Sequence, residues 1–139
     1  MEALLLILQQ LIGSLLQLAG LLVLAMALLG LCGIAHEGGH LVAGLLSGYR
    51  FASFRIFSWV WAKEDGKIKF SYSPNRAVAG QCLMLPPQDE AEFRFVFYNY
   101  GGGLANWLLA LLSFLGWLAA GAGWFAIAWV FSAFLNGYL

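Results

Sequence analysis

Ala3 to Leu46 is an almost unbroken apolar run of 44 residues, with Gln9, Gln10, Ser14 and Gln17 as early polar interruptions. A membrane-spanning helix needs about 20 residues, so the run is too long for one crossing. The pattern predicts a helical extension over residues 1–17, separate or interfacial, followed by a spanning helix over 20–47. Gly13 is the expected break point. The chain turns polar over 49–92 and becomes apolar again over 93–120, which reads as a second span. Gly121-Ala122-Gly123 marks a turn. Residues 124–139 then open a third span, whose length of about 24 Å falls short of a hydrocarbon core of about 30 Å. No charge or stop signal closes it, and it is expected to continue past Leu139.

Inside the polar stretch the period changes from helical to alternating. Phe54, Ile56, Trp59 and Trp61 alternate with polar or small residues, with a slip near Phe57. Asp65-Gly66 is a hairpin-turn signal. Ile68, Phe70 and Tyr72 then alternate strictly with Lys67, Lys69, Ser71 and Ser73. The pattern predicts a β-hairpin with one aromatic face, turned toward the bilayer or the helices because tryptophan and tyrosine favour the interface. Ser73-Pro74-Asn75 is a turn, and Val78 to Leu85 reads as a third short strand stopped by Pro86-Pro87. Two readings of this loop stand: a strand edge that pairs with an extended substrate, or a structural cap. Asp89, Glu90 and Glu92 are expected to favour the N-terminus of the next helix.

Composition sharpens the class. Hydrophobic residues make up 62% of the 139 and charged residues 10%, against about 25% charged in soluble domains. The fold class expected is mainly α: a polytopic membrane protein of about three transmembrane helices, with a β-hairpin or β-sheet loop between the first two. The whole chain reads as one domain. Net charge is zero and no basic run points to nucleic acid; the bilayer is the expected partner. Of the seven Lys and Arg residues, all but Arg94 fall in the loop, as Arg50, Arg55, Lys63, Lys67, Lys69 and Arg76. The positive-inside rule therefore places loop 49–92 in the cytoplasm. The N-terminus lacks a positive n-region and is expected to be retained. Two cysteines, Cys32 and Cys82, are too few for a disulfide framework.

The candidate chemistry sits late in the first apolar run, at His36-Glu37-Gly38-Gly39-His40. Residues four apart on a helix share a face, so His36 and His40 can hold one metal ion through two imidazoles. Glu37 is placed to act as general base toward a metal-polarised water, the arrangement of zinc hydrolases. Ionisable residues are costly in a membrane segment and mark functional sites there. The competing reading is two histidines that merely bond across a bundle. Gly38 and Gly39 either leave room for a substrate backbone or let helices approach closely. Cys32, four residues before His36, is either a ligand or a small packing residue. Asn106 follows Gly101-Gly102-Gly103 in the second span. It either bonds a substrate carbonyl or joins two helices.

Taken together these residues resemble the site-2 protease family of intramembrane zinc metalloproteases. The resemblance rests on His36-Glu37-Gly38-Gly39-His40 in a membrane helix, the β-rich loop after it, and Gly101-Gly102-Gly103-Leu104-Ala105-Asn106, with glycine where the family's stretch has proline. It implies zinc held by His36 and His40, catalysis by Glu37 and substrate binding by Asn106. It also implies that membrane-protein substrates are cut within their transmembrane segments and are guided there by the β-loop. The family's third ligand is an aspartate on a later helix. No aspartate follows Asp89 here, so that ligand is expected beyond residue 139, with Asp89 or Cys32 as substitutes. The alternative is a non-catalytic binding or regulatory protein of the same fold with an incomplete metal site.

Overall fold

A computed structural model describes residues 2–74, 79–88, 92–121, 123, 126–130 and 134. Two long helices frame a small sheet in the order α1 (Glu2–Leu46), β1 (Arg50–Ile56), β2 (Trp59–Glu64), β3 (Lys67–Tyr72), β4 (Gly80–Leu85) and α2 (Glu92–Ala120).

The first helix differs from the expectation. Residues 1–17 and 20–47 were expected as two pieces, but α1 is one continuous helix of 45 residues. It is about 67 Å long, roughly twice the hydrocarbon thickness. Gly13 does not break it, because one glycine costs a helix only about 1 kcal/mol and the leucines around it all favour helix. Both α1 and residues 94–120 of α2 are long and apolar enough to cross a membrane. In the stretch expected to form a third span, residues 126–130 are helical, and Trp129 packs on Phe114 of α2 at 5.3 Å between ring centroids. The remainder of that stretch lies largely outside the described residues. So do Asn75, Arg76, Val78, Asp89 and Glu90, and with them parts of the expected turn, third strand and acidic cap.

The β-loop is a four-stranded antiparallel sheet in the order β3-β2-β1-β4. The slip near Phe57 proves to be a second hairpin. Ile56 pairs with Trp59 across Phe57-Ser58, and Phe57 takes a φ of 52° there. A chain reversal replaces what alternation alone presents as one irregular strand. Asp65-Gly66 is the predicted turn, with φ of 51° and 77°, the two positive values that a type I′ turn requires. Paired residues share a face. One face therefore carries Trp59, Trp61, Phe70 and Tyr72, with Trp59 stacked on Phe70 at 5.3 Å and 13°. The other carries Ser71, Lys69, Glu64 and Lys67, with Lys69 and Glu64 in an exposed ion pair.

The helices pack antiparallel through small residues. A Cβ on Gly39 would overlap the Gly101 carbonyl oxygen, and one on Gly101 would lie 2.6 Å from the Ala43 Cβ. This close approach settles Gly39 as a packing glycine. Gly38 faces open space. The sheet joins the pair through β4 and β1, which both contact α1.

Candidate functional site

One turn of α1 brings His36 and His40 together, as their spacing predicts. Their Nε2 atoms lie 3.1 Å apart. The remaining ring nitrogens are held from α2. His40 Nδ1 lies 2.9 Å from the Tyr98 carbonyl oxygen, and His36 Nδ1 lies 3.2 Å from Asn106 Nδ2. Asn106 is 1% exposed.

The hydrogens follow from chemistry. A carbonyl only accepts, so His40 Nδ1–H donates to Tyr98. In neutral rings His40 Nε2 then accepts from His36 Nε2–H, and His36 Nδ1 accepts from Asn106. This relay is self-consistent but leaves Asn106 Oδ1 buried with no partner. Two imidazole ligands require the other tautomer at His36, with hydrogen on Nδ1. Turning the Asn106 amide end for end then gives its orphaned oxygen that hydrogen. Metal-ligating histidines donate their second N–H to such acceptors. Tetrahedral zinc with Zn–N bonds of about 2.0–2.1 Å places two imidazole nitrogens about 3.3 Å apart, close to the observed separation. The histidine pair therefore fits a zinc ion as two of its ligands. Among the described residues, no group of three His, Cys, Asp or Glu side chains is placed to hold a metal.

Gly102 makes this arrangement possible. A Cβ there would lie 2.5 Å from His36 Nε2 and 2.6 Å from His40 Nε2. The sequence presents Gly102 among three glycines, at a place where the resembled stretch has proline; the fold sets it against the two nitrogens.

Glu37 turns toward the sheet. Its carboxylate takes a hydrogen bond from the backbone of Cys82, and a Cβ on Gly80 would meet its Cγ and Oε1 at 2.8 Å. The Tyr98 hydroxyl donates to the Cys82 carbonyl oxygen at 2.9 Å. Both polar groups of the Cys82 backbone thus point away from β1 to partners on the two helices. The edge of β4 is therefore closed at this residue. The strand serves there as a cap that holds Glu37, while the outer edge of β3 faces away from the helices' contacts with β1 and β4. Burial, with the Glu37 carboxylate beside it, pushes the Cys82 thiol up to about 11. Cys32 is 2% exposed.

Tyr98 escaped the sequence reading. Its carbonyl orients His40, its hydroxyl holds β4, and its ring stacks on Tyr49 at 4.8 Å. Only its place eight residues before the singled-out Asn106, near two turns along the same helix, hinted at a shared face. Two cavities flank the histidines. One of about 500 Å³ is reached by His36, Glu37 and Asn106. The other, of about 660 Å³, is lined by both histidines, Asn99, Gly103 and Trp107.

Comparison with known proteins finds no matching family model, no matching curated protein and no matching solved structure.

Proposed function

We propose that this chain is the core of an intramembrane zinc metalloendopeptidase that cuts transmembrane segments of other membrane proteins. The observation that carries the reading is the convergence of the two Nε2 atoms with both Nδ1 atoms held from α2. Zinc, when bound, supplies a Lewis acid that polarises a water and a substrate carbonyl. His36 and His40 would hold it, and Glu37 would accept the proton of the attacking water. Gly80 and the Cys82 backbone keep the carboxylate beside the cavity. Asn106 orients His36 and reaches the cavity in which a substrate carbonyl would lie. Helical amides are already hydrogen-bonded, so the substrate enters unwound. A third ligand would come from outside the described residues. Loop 49–92 lies on the cytoplasmic side of a multi-pass protein, on the strength of its cluster of basic residues.

A second reading has its own support. The lack of a three-ligand group among the described residues favours a non-catalytic membrane protein of the same design. One experiment separates the two. The purified full chain is assayed in lipid for zinc content and for cleavage of a transmembrane peptide, beside Glu37→Gln. The protease reading expects stoichiometric zinc in both and a fall in cleavage of about 10²–10⁴-fold in the variant. Unchanged cleavage in Glu37→Gln sinks the protease; substoichiometric zinc with no cleavage by either chain supports the second reading.

A further inference from the structure

The cavity of about 500 Å³ beside Glu37 has a directional build. Its α1 wall runs along Met26, Gly30, Gly33 and Glu37, at helical spacings of four, three and four, with Leu29, Cys32, Ile34 and His36 beside them. Its opposite wall is the end of the sheet, where Ile56 and Phe57 face Gly80. A backbone bond of 2.7 Å from Phe57 N–H to the Ala79 carbonyl holds that end in place. The polar groups, His36, Glu37 and Asn106, lie together, and apolar groups line the rest. Gly30 and Gly33 supply the width: a Cβ on either would meet nothing within 4 Å.

We infer that this cavity is a specificity pocket, which receives one bulky apolar side chain (Leu, Met or Phe) of the substrate next to the scissile peptide. The inference rests on the protease reading for the word substrate, but the pocket itself does not depend on catalysis. The volume lies in the range of ligand pockets. The apolar walls and the Glu37 carboxylate disfavour an acidic side chain, which would lie there without a cationic partner. A substrate drawn from lipid gains little from leaving water, so the preference comes from packing. A bulky side chain makes more packing contacts with these apolar walls than alanine does. Gly30 and Gly33 are thus specificity-determining positions, and leucine at Gly33 would occupy the pocket itself.

The test uses the full chain loaded with zinc in lipid nanodiscs, with transmembrane peptides that differ only in carrying Leu, Phe, Ala or Asp beside the cut. The wild type is expected to cleave the Leu or Phe peptide about 10-fold or more faster than the Ala peptide, and Gly33→Leu to reduce that ratio about 10-fold. An unchanged ratio overturns the pocket while leaving the protease reading intact. A second measurement is independent of cleavage: Gly33→Cys is combined with Glu37→Gln, and maleimide labelling of the new thiol is followed with each peptide. Protection by Leu or Phe peptides but not by Ala or Asp peptides is expected. Protection without cleavage by the parent chain would retain the pocket and remove the protease. Equal labelling with every peptide, or protection by lipid alone, overturns the pocket whatever the cleavage assay shows.

Discussion

Residues 2–23 and 32–46 of α1 belong to one helix but behave as different materials. The first segment has ten leucines and two glycines; the second has three leucines and four glycines. In the first, every residue except Gly13 is exposed. In the second, Cys32, Ala43 and Gly44 are buried, and α2 and β4 close over the helix. The contacts between the helices run antiparallel, from His36 with Asn106 to His40 with Tyr98. Continued at the same rise, they bring the end of α2 level with about residue 22 of α1. Leucine makes a helix that lipid tolerates, yet it gives neighbouring helices no closer approach than lipid does. Small residues do, because they let backbones meet. The candidate site lies in the segment where such residues are dense, and there both histidines find partners on α2.

This contrast can be broken at its closest points. Gly102→Ala places a methyl against both Nε2 atoms, so zinc affinity should fall about 10–100-fold or more, measured by competition with a chromogenic chelator. Unchanged affinity would show that the histidines do not converge on one ion. Gly39→Leu should force α2 from α1 and cost about 1–3 kcal/mol in a reversible unfolding assay in mixed micelles. Gly38→Ala, facing open space, should be neutral or stabilising by up to about 1 kcal/mol. Equal costs at the two glycines would remove the distinction between a packing and a spare position.

Finer effects sharpen it. Tyr98→Phe deletes only the hydroxyl that holds Cys82 and should cost about 1 kcal/mol, with faster amide exchange along β4 as the local signature. The Cys82 thiol gives a pH dependence. Its ordinary value is 9.0 and the fold raises it to about 11, so the folded chain holds this proton more tightly than the unfolded one. The contribution to stability is full below about pH 9 and is lost as pH rises toward 11. Alkylation of Cys82 should accordingly titrate near 11; a midpoint near 9 would mean that the β4 contact is open in solution. The smallest effect belongs to the bare segment. Leu16→Ala, at a position 68% exposed, should stay within about 0.5 kcal/mol. A cost of several times that would reveal a partner for residues 2–23 and erase the difference between the halves.

Local geometry explains what was legible. The fourfold spacing of His36 and His40 is a property of one helical turn, so the pair could be read before any fold was known. The same holds for the Asp65-Gly66 turn, whose backbone angles depend on two residues, and for the apolar runs of α1 and α2. Phe57-Ser58 was missed because its sequence lacks the usual glycine or asparagine, and the neighbouring pairings force phenylalanine into positive φ. The unbroken α1 was missed because glycine weakens a helix without ending it.

What the sequence by itself determined is therefore the two long apolar helices, the strand-rich loop and a histidine pair on one helical face. Tertiary structure alone decided what surrounds that pair. Tyr98 reaches His40 across 58 positions of chain and Asn106 reaches His36 across 70. Gly102 owes its necessity to two imidazoles on another helix, and Glu37 is held by a strand that begins at Gly80. No period or spacing encodes such meetings. They arise because glycines at Gly39 and Gly101 let the helices touch, which brings the Tyr98 carbonyl and the Asn106 amide within hydrogen-bond reach of the two histidines.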